Sequence, residues 1–167
     1  MLAGRLDEIQ RLEHALFQPK HGNPAHFIIQ GERGIGKSSL LFYLNAVAQG
    51  HITAPDSVPF KFLTVEIELE PANSDLDILR KMATQLRLAL AEHSHLKAIA
   101  ERVWGFVKNL EIKGVRYHAE KADEQSDALA ELTAAFAATL NDLGDAFDGI
   151  LVLIDEADKP PRTANWV

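Results

Sequence analysis

Apolar positions along the chain follow two different periods. Leu6, Ile9, Leu12 and Leu16 recur at steps of three and four with charges between them, which predicts an amphipathic helix over 5–17. Residues 18–24 hold Pro, Gly and Asn and read as a loop. Phe27-Ile28-Ile29 is a short apolar run before a glycine cluster, so residues 26–30 are expected to form a buried strand. Helical spacing returns at Leu40, Leu41, Tyr43, Leu44 and Val47, and Gly50 sits where a helix C-terminal glycine would. Near 60–69 the period drops to two. Val65, Ile67 and Leu69 share one face while Thr64, Glu66 and Glu68 share the other, the pattern of a half-exposed strand at a sheet edge.

Ser74 or Asp75 is placed to cap a helix whose apolar stripe is Leu76, Leu79, Met82, Leu86 and Leu90. A further helix is expected over 96–108. Leu110, Ile112, Val115 and Tyr117 surround Gly114 and suggest a short strand or hairpin over 109–118. Leu129, Leu132, Phe136 and Leu140 predict a helix over 124–142, stopped at Gly144. Ile150 to Ile154 is aliphatic throughout and reads as a second buried strand. Helix, strand, helix, strand, helices, strand is the order of an α/β layered fold.

Composition narrows the class. The 167 residues are 47% apolar and 25% charged, ordinary globular values that exclude a disordered tail or a low-complexity linker. Cysteine is absent, so thiolate metal sites, disulfides and thiol nucleophiles are excluded, which fits a cytoplasmic location. The longest aliphatic run, Ile150 to Ile154, is far shorter than the ~20 residues of a membrane span. A formal net charge of −7 does not favour nucleic-acid coating, and Arg80, Lys81 and Arg87 form no basic stripe.

Gly31-Glu32-Arg33-Gly34-Ile35-Gly36-Lys37-Ser38 fits the pattern G-x-x-x-x-G-K-[ST] at every position, and Ser39 follows it. The apolar run before it and the amphipathic stretch after it supply the strand-loop-helix context the pattern needs. Glycines let the backbone curl so that successive N–H groups face a phosphate, and the helix that begins here aims its positive end at the same anion. Lys37 would reach the outer phosphates and Ser38 would offer its hydroxyl to Mg²⁺. Glu32, Arg33 and Ile35 occupy variable positions of the loop, and Arg33 is as well suited to solvent as to phosphate.

A second signal is the aliphatic run that ends in Asp155-Glu156. Ligands bind at the carboxyl edge of a parallel sheet, so a carboxylate pair there is suited to chemistry. Asp155 would hold Mg²⁺ and Glu156 would polarise an attacking water. The plain alternative is a strand followed by a solvated acidic turn.

The two motifs together resemble the P-loop ATPases that carry an extra catalytic glutamate, which include the AAA+ and STAND families. Gly4-Arg5-Leu6-Asp7-Glu8-Ile9 is similar to the Gly-Arg-x-x-Glu segment that opens AAA+ ATPases of the origin-recognition and STAND type, with Leu2 and Ala3 in place of the usual aromatic and valine. The resemblance spans roughly 1–50 and 148–160. It implies a three-layer sandwich with a mostly parallel sheet, ATP and Mg²⁺ as ligands, Lys37 and Glu156 as catalytic groups, and Gly4 and Arg5 near the adenine. Asp155-Glu156-Ala157-Asp158 also spells the DEAD-box helicase tetrapeptide, but the helicase nucleotide loop reads differently.

The long interval from Lys37 to Asp155 exceeds what one strand and one helix need, so a helical insertion is expected within about 70–145. In the five-stranded sheet of such ATPases a sensor strand separates the first strand from the Asp-Glu strand. That strand, an arginine finger and a helical lid would follow Asp158, so residues 1–167 are expected to be the N-terminal part of an ATPase domain truncated after the Asp-Glu strand. Alternatively, 26–30 pairs directly with 150–154, or another chain completes the sheet. The implied function is ATP binding, with hydrolysis in the longer parent driving a conformational switch and a protein partner or self-association through the ATPase domain. Turnover by residues 1–167 alone is expected to be slow or absent. A nucleotide-dependent interaction module without turnover and a DNA-associated initiator or helper ATPase stand as alternatives.

Two weaker signals remain. His93 and His95 invite a metal reading, but positions two apart on a helix do not share a face. Trp104, Phe106 and Val107 are better suited to core packing than to a partner surface.

Overall fold

A computed structural model describes residues 6–53, 58–116 and 122–159. Among the described residues, five α-helices and two strands order as α1 (Leu6–Lys20), α2 (Lys37–Ala48), β1 (Phe62–Glu68), α3 (Asp75–Ala91), α4 (Lys97–Arg116), α5 (Ala122–Leu143) and β2 (Gly149–Asp155). The class is α/β, as the order of periodicities predicted. The two strands form one parallel sheet. Its register is set by Asp148 N–H donating to the Lys61 carbonyl at 2.8 Å and Leu69 N–H to that of Asp155 at 3.1 Å.

Two compact units divide the chain. The first holds the residues up to Thr64 together with Asp145–Leu153, and the second holds Val65–Gly144 and the residues from Ile154 on. In the first unit α1 packs on α2. Leu12 and Leu16 of α1 meet Leu40, Leu44, Val47 and Ala48 of α2, with Phe60, Phe62 and Leu153 closing the cluster. Each fully buried leucine contributes roughly 1.5–3 kcal/mol by leaving water. Tyr43 donates its hydroxyl to Glu13 Oε1 at 2.7 Å and so ties the two helices by a polar bond as well. Helix α2 ends where Gly50 predicted. Gly50 adopts φ +77, its N–H donates to the Val47 carbonyl at 3.0 Å, and His51 N–H donates to that of Ala46 at 2.8 Å. These two bonds satisfy carbonyls that the helix end would leave orphaned.

In the second unit α3 packs chiefly on α4, and α5 touches both. Ile78, Ala83, Leu86 and Leu90 of α3 are buried, with Leu96, Ile99, Ala100 and Val103. Ser74 caps α3 through a reciprocal pair with Asp77. The Ser74 hydroxyl holds the Asp77 carboxyl below its ordinary range, against partial burial and with help from the Ser74 backbone N–H and Arg80.

Several expected elements differ. Residues 26–30 form no ladder. Their side chains do alternate: Phe27 and Ile29 pack on the first core, but Ile28 is 83% exposed. The apolar content is that of a strand, but β2 pairs with β1 and the described residues offer 26–30 no neighbour. Direct pairing of 26–30 with 150–154 is therefore not the arrangement. The strand over 150–154 is less buried than its composition suggests: Leu153 is its fully buried residue, and Ile154 is 39% exposed. The strand or hairpin expected over 109–118 is helical as far as Arg116, and Tyr117 lies outside the described residues. Gly114 costs a helix only about 1 kcal/mol, which α4 tolerates. Helix α1 runs to Lys20, through Pro19 in its last turn, so the following loop begins later than predicted. No helix of the described residues is long and apolar enough to cross a membrane.

Candidate functional site

The phosphate loop lies in the first unit. Gly34 and Gly36 have φ +83 and +92, and a Cβ at either would meet no atom within 4 Å. Gly36 is the N-cap of α2 and makes no side-chain capping bond, so the first-turn N–H groups of α2 are left as donors. Lys37 Nζ donates to the carbonyls of Gly31 at 2.9 Å and Glu32 at 3.1 Å. An ammonium has three donors, so one remains for a ligand. Ile35 N–H closes a turn to the Glu32 carbonyl at 3.4 Å. Glu32, Arg33, Ile35, Ser38 and Ser39 are exposed. An open backbone cradle at a helix N-terminus, crossed by a fixed ammonium, suits a polyphosphate and not a neutral ligand.

The carboxylate pair lies in the second unit, at the carboxyl end of β2. Asp155 is half-buried and its Oδ1 accepts the Glu156 N–H at 2.8 Å. Glu156 is exposed and has φ +56, the one non-glycine positive φ among the described residues. A left-handed residue other than Gly, Asn or Asp is uncommon, costs of order 1–3 kcal/mol and clusters at functional sites. The turn that follows is closed by Lys159 N–H to the Glu156 carbonyl at 3.0 Å. Lys159 Nζ lies 3.7 Å from Glu156 Oε1 and 3.7 Å from Glu68 Oε1. Carboxylate oxygens of this kind are ligands that a hard divalent cation such as Mg²⁺ takes.

A model of the AAA ATPase domain family matches residues 1–166. The chain belongs to that family. As an AAA ATPase domain it is an ATP-binding P-loop NTPase, the class that the loop at Gly31 to Ser38 indicated. No curated protein and no solved structure matches the chain.

Not every candidate is placed. Gly4 and Arg5 lie outside the described residues of the AAA ATPase domain. His93 and His95 sit at a 3₁₀ turn instead of along a helix, and their rings come within 6.0 Å of each other. No group of three potential metal ligands occurs among the described residues. Trp104 is half-buried beneath the Arg87 guanidinium, 4.2 Å from the ring centroid, with Lys108 at 5.2 Å. The side chains of Phe106 and Val107 are not among those described. Lys81 anchors the end of β1 by donating to the Glu68 carbonyl at 2.8 Å.

Sequence reading missed two features of the AAA ATPase domain. The Tyr43–Glu13 bond joins residues far apart in the chain and leaves no local pattern. Lys159 did leave one, since it stands three residues after Glu156, but its second partner Glu68 looked like an ordinary solvated strand position.

Proposed function

We propose that this AAA ATPase domain binds ATP with Mg²⁺ and hydrolyses it, and that turnover drives a conformational switch of the STAND or origin-recognition type. The observation that carries the reading is Lys37, held by the Gly31 and Glu32 carbonyls at the uncapped start of α2. Backbone N–H groups at Gly34 and from Gly36 to Ser39 hold the phosphates, and the remaining Lys37 donor offsets charge on the outer ones. Ser38 and Asp155 are the oxygens that would hold Mg²⁺, which when bound neutralises charge developing on the transferring phosphoryl group. Glu156 accepts a hydrogen bond from the attacking water and draws its proton. Gly4 and Arg5 are proposed to lie near the adenine, and the helical stretch over 70–145 to be an insertion that meets a protein partner.

The test is calorimetric titration with ATP and Mg²⁺, followed by turnover. Micromolar binding that Lys37→Ala abolishes supports the site. Glu156→Gln is expected to keep that binding and lower kcat about 10²–10⁴-fold, the usual size of a general-base contribution. Equal binding by Lys37→Ala refutes the phosphate reading. Glu156→Gln that changes neither binding nor turnover makes the domain a nucleotide-dependent interaction module.

A further inference from the structure

The helices of the second unit carry positive charge that their own ion pairs do not absorb. On α3 and α4, Arg80 faces Asp77, Lys81 faces Glu70 and Arg102 faces Asp142. Two other cations go instead to one aromatic ring. Arg87 of α3 lies over Trp104 of α4 at 4.2 Å from the ring centroid, and Lys108, one turn further along α4, approaches the same ring at 5.2 Å. Both are within the ~6 Å of a cation–π contact. Neither cation meets a carboxylate among the described residues, and the Trp104 indole N–H meets no acceptor there. Trp104 and Arg87 are half-buried, Lys108 is exposed, and Leu88 beside Arg87 is 45% exposed.

A clamp between α3 and α4 accounts for Arg87 alone. Lys108 shares a helix with Trp104, so it joins no two elements, and it brings a second positive charge toward the first. A guanidinium over an indole keeps edge N–H groups for a carboxylate, and its side chain is already ordered, so less freedom is lost when an anion arrives. We propose that Arg87, Trp104 and Lys108 form a docking site for an acidic side chain of a partner protein, with an apolar neighbour of that side chain covering Leu88. The proposal deepens the reading of 70–145 as a stretch that meets a protein partner, and rests on it. Charge complementarity selects the occupant. The site offers two cations and one neutral donor, and a carboxylate is acceptor-only, with room for several bonds. A nucleic-acid backbone would bring a row of negative charges instead. Glu101, one turn before Trp104 on α4, repels such a row, and so does the net charge of −7.

Displayed random peptides selected on the chain, and counter-selected on the Arg87→Gln, Lys108→Gln double variant, supply the probe. Asp or Glu next to a large apolar residue is expected to be enriched. A selected peptide is then titrated while the Trp104 indole N–H resonance is followed, with Trp166→Phe removing the other indole. The resonance should move saturably. Affinity should fall about two- to fivefold in Arg87→Gln and again in Lys108→Gln, the size of one exposed ion pair each, and should weaken with added salt. Lys108→Gln should keep the wild-type Tm while losing affinity, which a merely structural role would not produce. Replacing the acids of the peptide by Gln and Asn should abolish the movement. Selected peptides that bind 70–145 without acidic enrichment, or with equal affinity in both variants, overturn the site and leave the partner reading standing. If no selected peptide shifts any resonance of 70–145, both readings fall. A single-stranded oligonucleotide that moves the Trp104 resonance at lower concentration than the acidic peptide makes the patch a nucleic-acid site and overturns the proposal.

Discussion

Replacing Gly36 by alanine separates the phosphate reading from that of an ordinary glycine turn. Gly36 has φ +92, and an added Cβ would meet nothing within 4 Å. Backbone strain is therefore the only structural cost, about 1–2 kcal/mol for a left-handed L-residue. In a chain of this length that lowers Tm by roughly 2–8 °C. The functional cost is separate. The methyl group would stand at the mouth of the cradle, and relief of the strain would turn the Lys37 N–H away from it. ATP with Mg²⁺ at about 100 times Kd should stabilise the wild type by about 2.7 kcal/mol, a rise of roughly 5–11 °C. Gly36→Ala should lose nearly all of that rise. Gly22 provides the control, with φ +80 and equally open surroundings in the turn after α1. Gly22→Ala should show the same loss of Tm but the full response to nucleotide. Thermal melts of the three proteins with and without ligand decide the matter. An undiminished nucleotide shift in Gly36→Ala would refute the assignment of the loop.

Three further outcomes follow from the packing. Tyr43 is raised from its ordinary value near 10 to about 12 by burial and then by its bond to Glu13 and the charge there. The folded state therefore favours the neutral phenol, and this contribution is complete below pH 10 and lost between about 10 and 12. Two units correspond to at most ~2.7 kcal/mol, and partial exposure reduces this to about 1 kcal/mol. Tyr43→Phe should be about 1 kcal/mol less stable at pH 7, with the gap closing above pH 10 in urea titrations. Gly50→Ala adds a Cβ 2.7 Å from the Phe60 carbonyl oxygen at φ +77, so it should cost more than Gly36→Ala, about 2 kcal/mol or more by denaturant midpoint. Ser74→Ala should cost about 1 kcal/mol at pH 7. That difference should shrink at acid pH, because Asp77 is lowered by its Ser74 partner and its stabilisation is lost as pH falls through the folded value.

What the sequence alone determined was local. The phosphate loop, the termini of α2 and α3, the alternation over β1 and the membership of an α/β class are written in neighbouring residues. Loop curl, caps and face alternation depend on spacings of two to five positions, and those interactions form wherever the segment ends up. Pairing was not legible in the same way. Phe27-Ile28-Ile29 has the composition of a strand, yet a strand exists only where another backbone supplies N–H and C=O groups, and β1 is the segment that pairs with β2. Leu110 to Val115 mixes apolar and polar residues in a manner either period accepts, and continuation of α4 decided it. Lys159 acquires its second partner because parallel strands bring Glu68 to the edge that carries Glu156. Tyr43 and Glu13 meet because two helices bury their leucines against each other. Structure that needs one loop was therefore readable from the chain, while structure that depends on which segments become neighbours was settled only by burial and strand pairing.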